Sequence, residues 1–126
     1  MKHLVTALVI LALIAAGAVL CIQYTRCVSE ELLDTLDFCE DAVMRGDWRA
    51  AQENIALTSA LWEKHRPRLA AFLLHSDLNR ITDLLIETSA QVELKNRDAF
   101  LAQNRRLSAL VDEISRMDAL TFENLF

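Results

Sequence analysis

Two histidines in the body of the chain, His65 and His75, have the side chains best suited to chemistry. Each imidazole could act as a general acid or base near neutral pH, or bind a metal ion. A metal pair on one helix needs ligands three or four residues apart, and no histidine stands at that distance from either of them. A metal site would have to combine the two, or add an acid from elsewhere. We predict hydrogen-bonded structural histidines and no metal site.

Catalysis has little support elsewhere in the sequence. Serines and threonines occur without a nucleophile-elbow or triad context, and helical spacing does not bring either histidine together with a nucleophile. Gly17 and Gly46 are the only glycines, which excludes a glycine-rich phosphate loop. We therefore predict no enzymatic activity, no catalytic residues and no cofactor.

The three cysteines do not form a disulfide framework. Cys21 lies in an apolar segment, and Cys27 and Cys39 would be roughly 18 Å apart on one helix, too far for a bond within it. Cys39 falls on an apolar helical face, so we expect a core residue. For Cys27 we expect an inert thiol, with a bridge between two chains as the alternative in an oxidising compartment.

The elements that would position these groups begin with the uncharged segment from Leu4 to Ile22. As a helix it would be roughly 28 Å long, about the thickness of the hydrocarbon core of a bilayer. Eleven of its nineteen residues are Leu, Ile or Val, which favour insertion. We predict that this segment is an uncleaved membrane anchor in contact with the lipid bilayer.

Two cleaved alternatives remain open. Lys2 followed by an apolar run is also how a secretory signal begins, and Ala16-Gly17-Ala18 satisfies the small-x-small rule for cleavage. Against cleavage, Val19 to Ile22 keep the run apolar beyond that site. Cys21 invites a lipoprotein interpretation, but Leu20 stands where a small residue should precede the acylated cysteine.

Charges on the two flanks predict the orientation. Lys2 and the terminal amine precede the segment, whereas Arg26 follows it and no further base occurs before Arg45. Six acids fill that interval: Glu30, Glu31, Asp34, Asp37, Glu40 and Asp41. The positive-inside rule then favours a cytoplasmic amino terminus and an extracytoplasmic domain. We expect the acids to be a solvated helix face, or alternatively a docking site for a basic partner.

Composition limits the rest of the chain. The first 25 residues contain one lysine and no acid, so residues 26–126 have a net charge of −6, which argues against nucleic-acid binding. Two glycines and one proline leave no room for a hairpin-rich β fold. We predict an all-α protein in which residues 1–25 are an N-terminal transmembrane anchor and residues 26–126 form one small four-helix bundle of two αα-hairpins.

Apolar periodicity predicts the helices of the first hairpin. The first helix covers Cys27 to Arg45 and is either continuous with the anchor or bent near Gln23 to Arg26. Gly46-Asp47 forms the turn, with Asp47 as the cap of the next helix. That helix runs from about Trp48 to Arg66. Its inner face comprises Trp48, Ala51, Ile55, Thr58, Trp62 and His65.

The second hairpin follows the same pattern. The third helix is predicted from about Pro67, at its first turn, to Leu94. Its seam comprises Leu74, Leu78, Ile81, Leu85, Thr88 and Val92. After a break at residues 95–98, capped by Asn96 or Asp98, a fourth helix continues to about Leu120. Its inner stripe comprises Phe100, Asn104, Leu107, Val111, Ile114 and Met117. We expect Phe122 and Phe126 either to pack back on the bundle or to insert into a partner.

The two hairpins correspond weakly at an offset of 49 residues. Leu32, Leu36 and Val43 correspond to Ile81, Leu85 and Val92 under this shift, as do Asp47 to Asn96 and Ser59-Ala60-Leu61 to Ser108-Ala109-Leu110. Similar hairpins give some such matches by chance, so the correspondence indicates architecture rather than duplication.

Scattered residues along the chain resemble a known group of proteins. They are the amino-terminal apolar segment, Gly46-Asp47-Trp48 with Ala51, Trp62, His75 with Asp77-Leu78 and Ile81, and the terminal Asn124-Leu125-Phe126. This pattern resembles a family of short bacterial membrane-anchored helical proteins of unknown function, typical of anaerobic spore-forming Gram-positive lineages. The resemblance implies a bacterial cell membrane and a helical domain, and it supplies no catalytic residues.

Two functions are consistent with these features. The first is a non-enzymatic interaction or scaffold module, anchored in the cell membrane by a single span, that binds another membrane protein or associates with itself. The second is an extracytoplasmic sensory bundle that binds a small ligand between its helices and acts through a membrane partner, since no inner domain is visible before Leu4.

Overall fold

The computed structural model describes the backbone of residues 1–125 and the side-chain environments of residues 1–116. Four helices make up the fold, which confirms the all-α prediction. They are α1 (Lys2–Met44), α2 (Trp48–Leu69), α3 (His75–Glu93) and α4 (Arg97–Leu125). Each helix packs against the next, and α4 packs against the second half of α1 to close a four-helix arrangement.

The apolar segment and the first bundle helix form one continuous helix of 43 residues. Residues 23–26, where a bend was the alternative, are helical, because glycine and proline are absent between Gly17 and Gly46. The first fully buried residue along α1 is Thr25, and burial recurs from there to Val43. The predicted boundary between residues 25 and 26 therefore lies inside a helix, at the level where the bundle begins.

The predicted start of the third helix is wrong. Pro67 lies inside α2, which continues to Leu69, and α3 begins only at His75. The reason is that Leu69 is buried in the core, so tertiary packing carries α2 past the proline, and the amide that Pro67 lacks falls in the last turn. Leu74, assigned to the seam, is instead the extended cap residue of α3 and is 67% exposed.

The two hairpin turns have the same geometry at the offset of 49 residues. Gly46 (φ 73°) and Lys95 (φ 53°) both adopt the left-handed conformation. Their amides donate to Val43 and Val92, the residues three positions earlier, at 3.0 and 3.1 Å. Asp47 and Asn96 then cap α2 and α4 by accepting from the amides three residues on, which confirms Asp47 and selects Asn96 over Asp98.

The predicted seams form the core. The seam residues of the second, third and fourth helices within the described side chains are buried, apart from Leu74 and the half-buried Trp48 and His65. The largest fully buried side chains are Trp62 and Phe100. α4 continues five residues beyond the predicted Leu120. The side chains of Met117, Phe122 and Phe126 lie outside the described residues.

Candidate functional site

A cluster of polar and aromatic side chains lies where the bundle meets the apolar half of α1. The Tyr24 hydroxyl is 2.7 Å from Nδ1 of His65, and their rings meet edge to face with centroids 5.6 Å apart. Either group can donate in this hydrogen bond, depending on the tautomer of the imidazole. The contact joins α1 to the end of α2, and it confirms the predicted hydrogen-bonded role of His65.

The second imidazole nitrogen of His65 faces an acid from α1. Its Nε2 atom lies 3.6 Å from a carboxylate oxygen of Glu31, too far for a good hydrogen bond, and it has no hydrogen-bond partner among the described residues. The His65 side chain is 12% exposed, whereas that of Glu31 is 58% exposed. The contact is an ion pair only while the imidazole is protonated.

The turn between α2 and α3 also contacts Tyr24. The ring of Phe72 packs edge to face on that of Tyr24, with centroids 6.4 Å apart. Arg66, one turn before, donates to the Asn79 side chain of α3 at 3.3 Å. Tyr24 therefore contacts both the end of α2 and the turn that follows it.

Hydroxyl groups join the helices deeper in the bundle. The Thr58 hydroxyl of α2 lies 2.7 Å from the Thr35 hydroxyl of α1 and 2.8 Å from the carbonyl of Asn54 in its own helix, and it can donate its one proton to either. Thr35 donates to the carbonyl of Leu32. The indole of Trp62 donates to the Thr82 hydroxyl of α3 at 2.9 Å. These polar side chains are satisfied within the fold, so they are structural contacts rather than free chemical groups.

The remaining candidate residues are dispersed. His75 is exposed at the first position of α3, in a different element from His65, and its side chain makes no hydrogen bond to the described residues, so its predicted structural role is wrong. Cys27 is exposed and Cys39 is fully buried, as expected for a core residue. Burial raises the pKa of the Cys39 thiol to about 12, and the Glu40 carboxylate adds to this shift. Among the described residues, no group of three or more His, Cys, Asp and Glu side chains is placed to hold a metal ion.

The comparisons with known proteins identify a family. A model described as a domain of unknown function (DUF4363) matches residues 19–125, which is most of the chain. The chain belongs to the DUF4363 family. No curated protein and no solved structure matches it significantly. Membership of a family of unknown function is therefore confirmed. The bacterial lineage and the membrane anchor that the resemblance implied stay predictions.

The DUF4363 match begins at Val19, inside the apolar segment. One helix of this chain, α1, contains a segment long and apolar enough to cross a bilayer, and none of that segment is buried against the bundle. Its large side chains are mostly exposed, from 38% at Val19 to 67% at Leu13. A helix of this length and composition is typical of a membrane anchor or of a signal sequence.

The six acids of α1 lie away from the core of the DUF4363 bundle. Glu30, Glu31, Asp34, Asp37 and Asp41 are exposed, and Glu40 is half-buried. Their exposure agrees with a solvated acidic face, and the alternative of a docking site for a basic partner stays a prediction.

Two open grooves lie on the surface of the DUF4363 bundle. The groove between α2 and α3 encloses about 320 Å³ above the edge of Trp62, and that between α3 and α4 about 480 Å³. Ser59, Glu63, Thr82, Ile86, Ser89 and Glu93 are among the residues that line the first. Arg80, Asp83, Arg106 and Glu113 line the second with Leu84, Ala109 and Leu110. Sequence periodicity did not reveal either groove, because each groove lies between two helices and depends on how those helices pack.

Sequence reasoning also missed Tyr24, Thr35 and Phe72 as contact residues. The signal available for Tyr24 was its position just after an apolar segment, where aromatic side chains are common at membrane interfaces. Thr35 had no comparable signal, because its partner Thr58 lies in another helix. Phe72 was assigned to the third helix, whereas it lies in the turn before that helix and contacts Tyr24 of α1.

Proposed function

We propose that this protein is a membrane-anchored helical interaction module without catalytic activity, which binds another membrane protein or a second copy of itself. The observation that carries the proposal is the single helix from Lys2 to Met44, whose first half exposes apolar side chains and whose second half is built into the bundle. Because the two halves belong to one continuous helix, they share one axis and one rotation about it. The orientation of the span in the membrane therefore sets the orientation of the bundle.

The apolar half of α1 has a surface that suits lipid. Leucine, isoleucine and valine side chains there are exposed on all sides, as expected for a helix surrounded by hydrocarbon. The hydroxyls of Thr6 and Thr25 donate to the carbonyls of Lys2 and Cys21, four residues earlier, which satisfies these polar groups within the helix. Orientation follows from the flanking charges, which favour an extracytoplasmic bundle.

Several exposed apolar side chains on the bundle are available to a protein partner. Phe38, Leu57 and Ile86 lie on α1, α2 and α3 and are 59%, 50% and 63% exposed. Among the described residues, the ion pairs are the His65–Glu31 contact and two exposed pairs within helices, and the Tyr24 hydroxyl also meets His65.

Membrane fractionation tests the anchor. The full-length chain should resist alkaline extraction and keep its intact amino terminus by mass spectrometry. Leu13→Arg places a charge at the centre of the span, at a cost of about 2.5–3.5 kcal/mol, and should move the chain towards the soluble fraction. Leu57→Arg, a charge on the exposed face of α2, is the matched control and should stay in the membrane.

Site-specific photocrosslinking in membranes tests association. A photoreactive residue at Phe38, Leu57 or Ile86 should yield a discrete adduct at one of these positions, whereas one at the exposed Arg105 should not. A chain that is monomeric in mild detergent and gives no adduct at any of the three positions would remove the basis of the proposal.

The groove between α2 and α3 favours a second candidate, a sensory bundle for a small ligand. Its volume of about 320 Å³ lies at the lower end of the range for ligand sites, and it combines the indole edge of Trp62 with the hydroxyls of Ser59 and Ser89. A small-metabolite thermal-shift screen tests it. Stabilisation that Ser89→Trp abolishes would support a ligand in this groove, whereas a screen without a stabiliser would argue against it.

A further inference from the structure

We propose that the turn between α2 and α3, residues 70–74, is a second membrane contact that places Phe72 and Leu74 in the interfacial layer of the bilayer beside the span. This inference rests on the proposed membrane anchor and deepens it, because it assigns the lipid surface as the ligand of one end of the bundle.

The antiparallel order of the helices places this turn at the correct level. Along the contact between α1 and α2, Cys39 bonds to the carbonyl of Ala51, Thr58 to Thr35 and Tyr24 to His65, so the end of α2 lies beside the start of the bundle in α1. Tyr24 follows the last apolar residue of the span by two positions, about 3 Å of helix rise.

The turn itself meets Tyr24. Because the Phe72 ring packs on the Tyr24 ring, residues 70–74 stand at the level where the uncharged segment ends and Arg26 begins the charged part of α1. Tyrosine and other aromatic side chains favour this level of a bilayer, where one part of the ring is in apolar surroundings and the other is hydrated. The turn is therefore held beside the headgroup layer by a direct contact.

The apolar side chains of the turn lack full cover from the bundle. Leu74 is 67% exposed and Phe72 is 36% exposed, although both stand next to a core that buries Leu69. Leu74 has extended backbone and its side chain provides no cap hydrogen bond for α3. Burial in lipid would remove this apolar surface from water, which is favourable in proportion to the area covered.

The charges around the turn complement the phosphate groups of the headgroup layer. Residues 64–76 contain Lys64, Arg66 and Arg68 and no acid, in a chain of net charge −5. The nearest acids in sequence are Glu63 and Asp77, and Glu31 faces His65 on the α1 side. Cations beside exposed apolar side chains are the usual composition of a segment that lies in the membrane interface.

Tryptophan scanning of the full chain in lipid vesicles tests the inference. Leu74→Trp and Phe72→Trp are compared with Leu94→Trp, which is 72% exposed at the opposite end of α3. The lipids carry bromine atoms just below the headgroups, and the signal of the parent protein, which reports Trp48 and Trp62, is subtracted. Circular dichroism of each variant checks that the helices persist.

The expected result is a several-fold larger loss of fluorescence for Leu74→Trp and Phe72→Trp than for Leu94→Trp. The loss should grow when phosphatidylglycerol is added to phosphatidylcholine vesicles, and Arg68→Gln should reduce that growth. If all three variants float with the vesicles but are quenched alike, the turn stands clear of lipid and the inference is overturned while the anchor holds. If the parent protein fails to float with vesicles, the proposed function fails first.

Discussion

The Tyr24 hydroxyl and Nδ1 of His65 lie 2.7 Å apart and join the first turn of the bundle in α1 to the end of α2. The two residues are 41 positions apart in the sequence, and the bond lies at the level where the apolar segment ends. Tyr24 thereby connects the segment proposed as a membrane span to the packing of the bundle.

Tyr24→Phe should destabilise the protein by about 0.5–1.5 kcal/mol, because it removes one hydrogen bond and leaves His65 Nδ1 without its partner while the ring contacts with Phe72 remain. Thermal unfolding in detergent, followed by circular dichroism, measures the change. In a His65→Asn background the same substitution should cost less. An equal cost in both backgrounds would show that the two side chains are not coupled.

The hydroxyl pair of Thr35 and Thr58 should show coupling between two helices. Thr35→Val and Thr58→Val should each lower the free energy of unfolding by about 1 kcal/mol, and the double variant by less than the sum, because either single variant already removes the hydrogen bond that the two hydroxyls share. Chemical unfolding of the four proteins measures the cycle.

Thr88 supplies the control for this cycle. It is also fully buried, but its hydroxyl donates to the carbonyl of Leu84 in its own helix. Thr88→Val should therefore add to Thr58→Val without coupling. Strict additivity for the Thr35 and Thr58 pair as well would contradict a cross-helix hydrogen bond.

The two hairpin turns predict opposite responses to substitution. Gly46 has a φ of 73°, and a Cβ added there would meet no atom within 4 Å, so Gly46→Ala should destabilise by about 1–2 kcal/mol through backbone strain alone. Lys95 already bears the strain of a φ of 53°, so Lys95→Gly should leave stability within about 1 kcal/mol of the parent or raise it. Thermal unfolding compares the two, and a larger loss for Lys95→Gly than for Gly46→Ala would be inconsistent with these turn geometries.

The thiol of Cys39 should be unreactive while the protein is folded. The thiolate is the reactive form, and burial raises the pKa of Cys39 from 9.0 to about 12, whereas Cys27 is exposed. Maleimide at neutral pH should modify Cys27 in the native protein and Cys39 only after unfolding, as peptide masses would report.

The same pKa shift predicts a pH dependence of stability. The unfolded chain releases the thiol proton near pH 9.0 and the folded chain only near pH 12, so the contribution of Cys39 is complete below pH 9.0 and is lost progressively as the pH rises towards 12. The decline should be smaller in Cys39→Ala. Identical alkaline profiles for the two proteins would argue against a protonated, buried thiol.

Much of the fold could be predicted from local patterns. The periodicity of Leu78, Ile81 and Leu85 indicated a helix face that the structure buries, and Gly46 indicated a turn because a left-handed residue closes a helix there. The boundary at Pro67 failed because a proline near a helix end is also compatible with the last turn of α2. Burial of Leu69, which depends on the other helices, decided between the two.

The sequence by itself determined the apolar segment, the all-α class, the two hairpins and the side chains that face the core, since each depends on residues close together along the chain. Only the tertiary structure decided that Tyr24 meets His65 and Phe72, that Thr58 meets Thr35, and that α2 and α3 leave a groove beside Trp62. Such contacts depend on the register and divergence of separate helices, which packing sets and local periodicity does not encode.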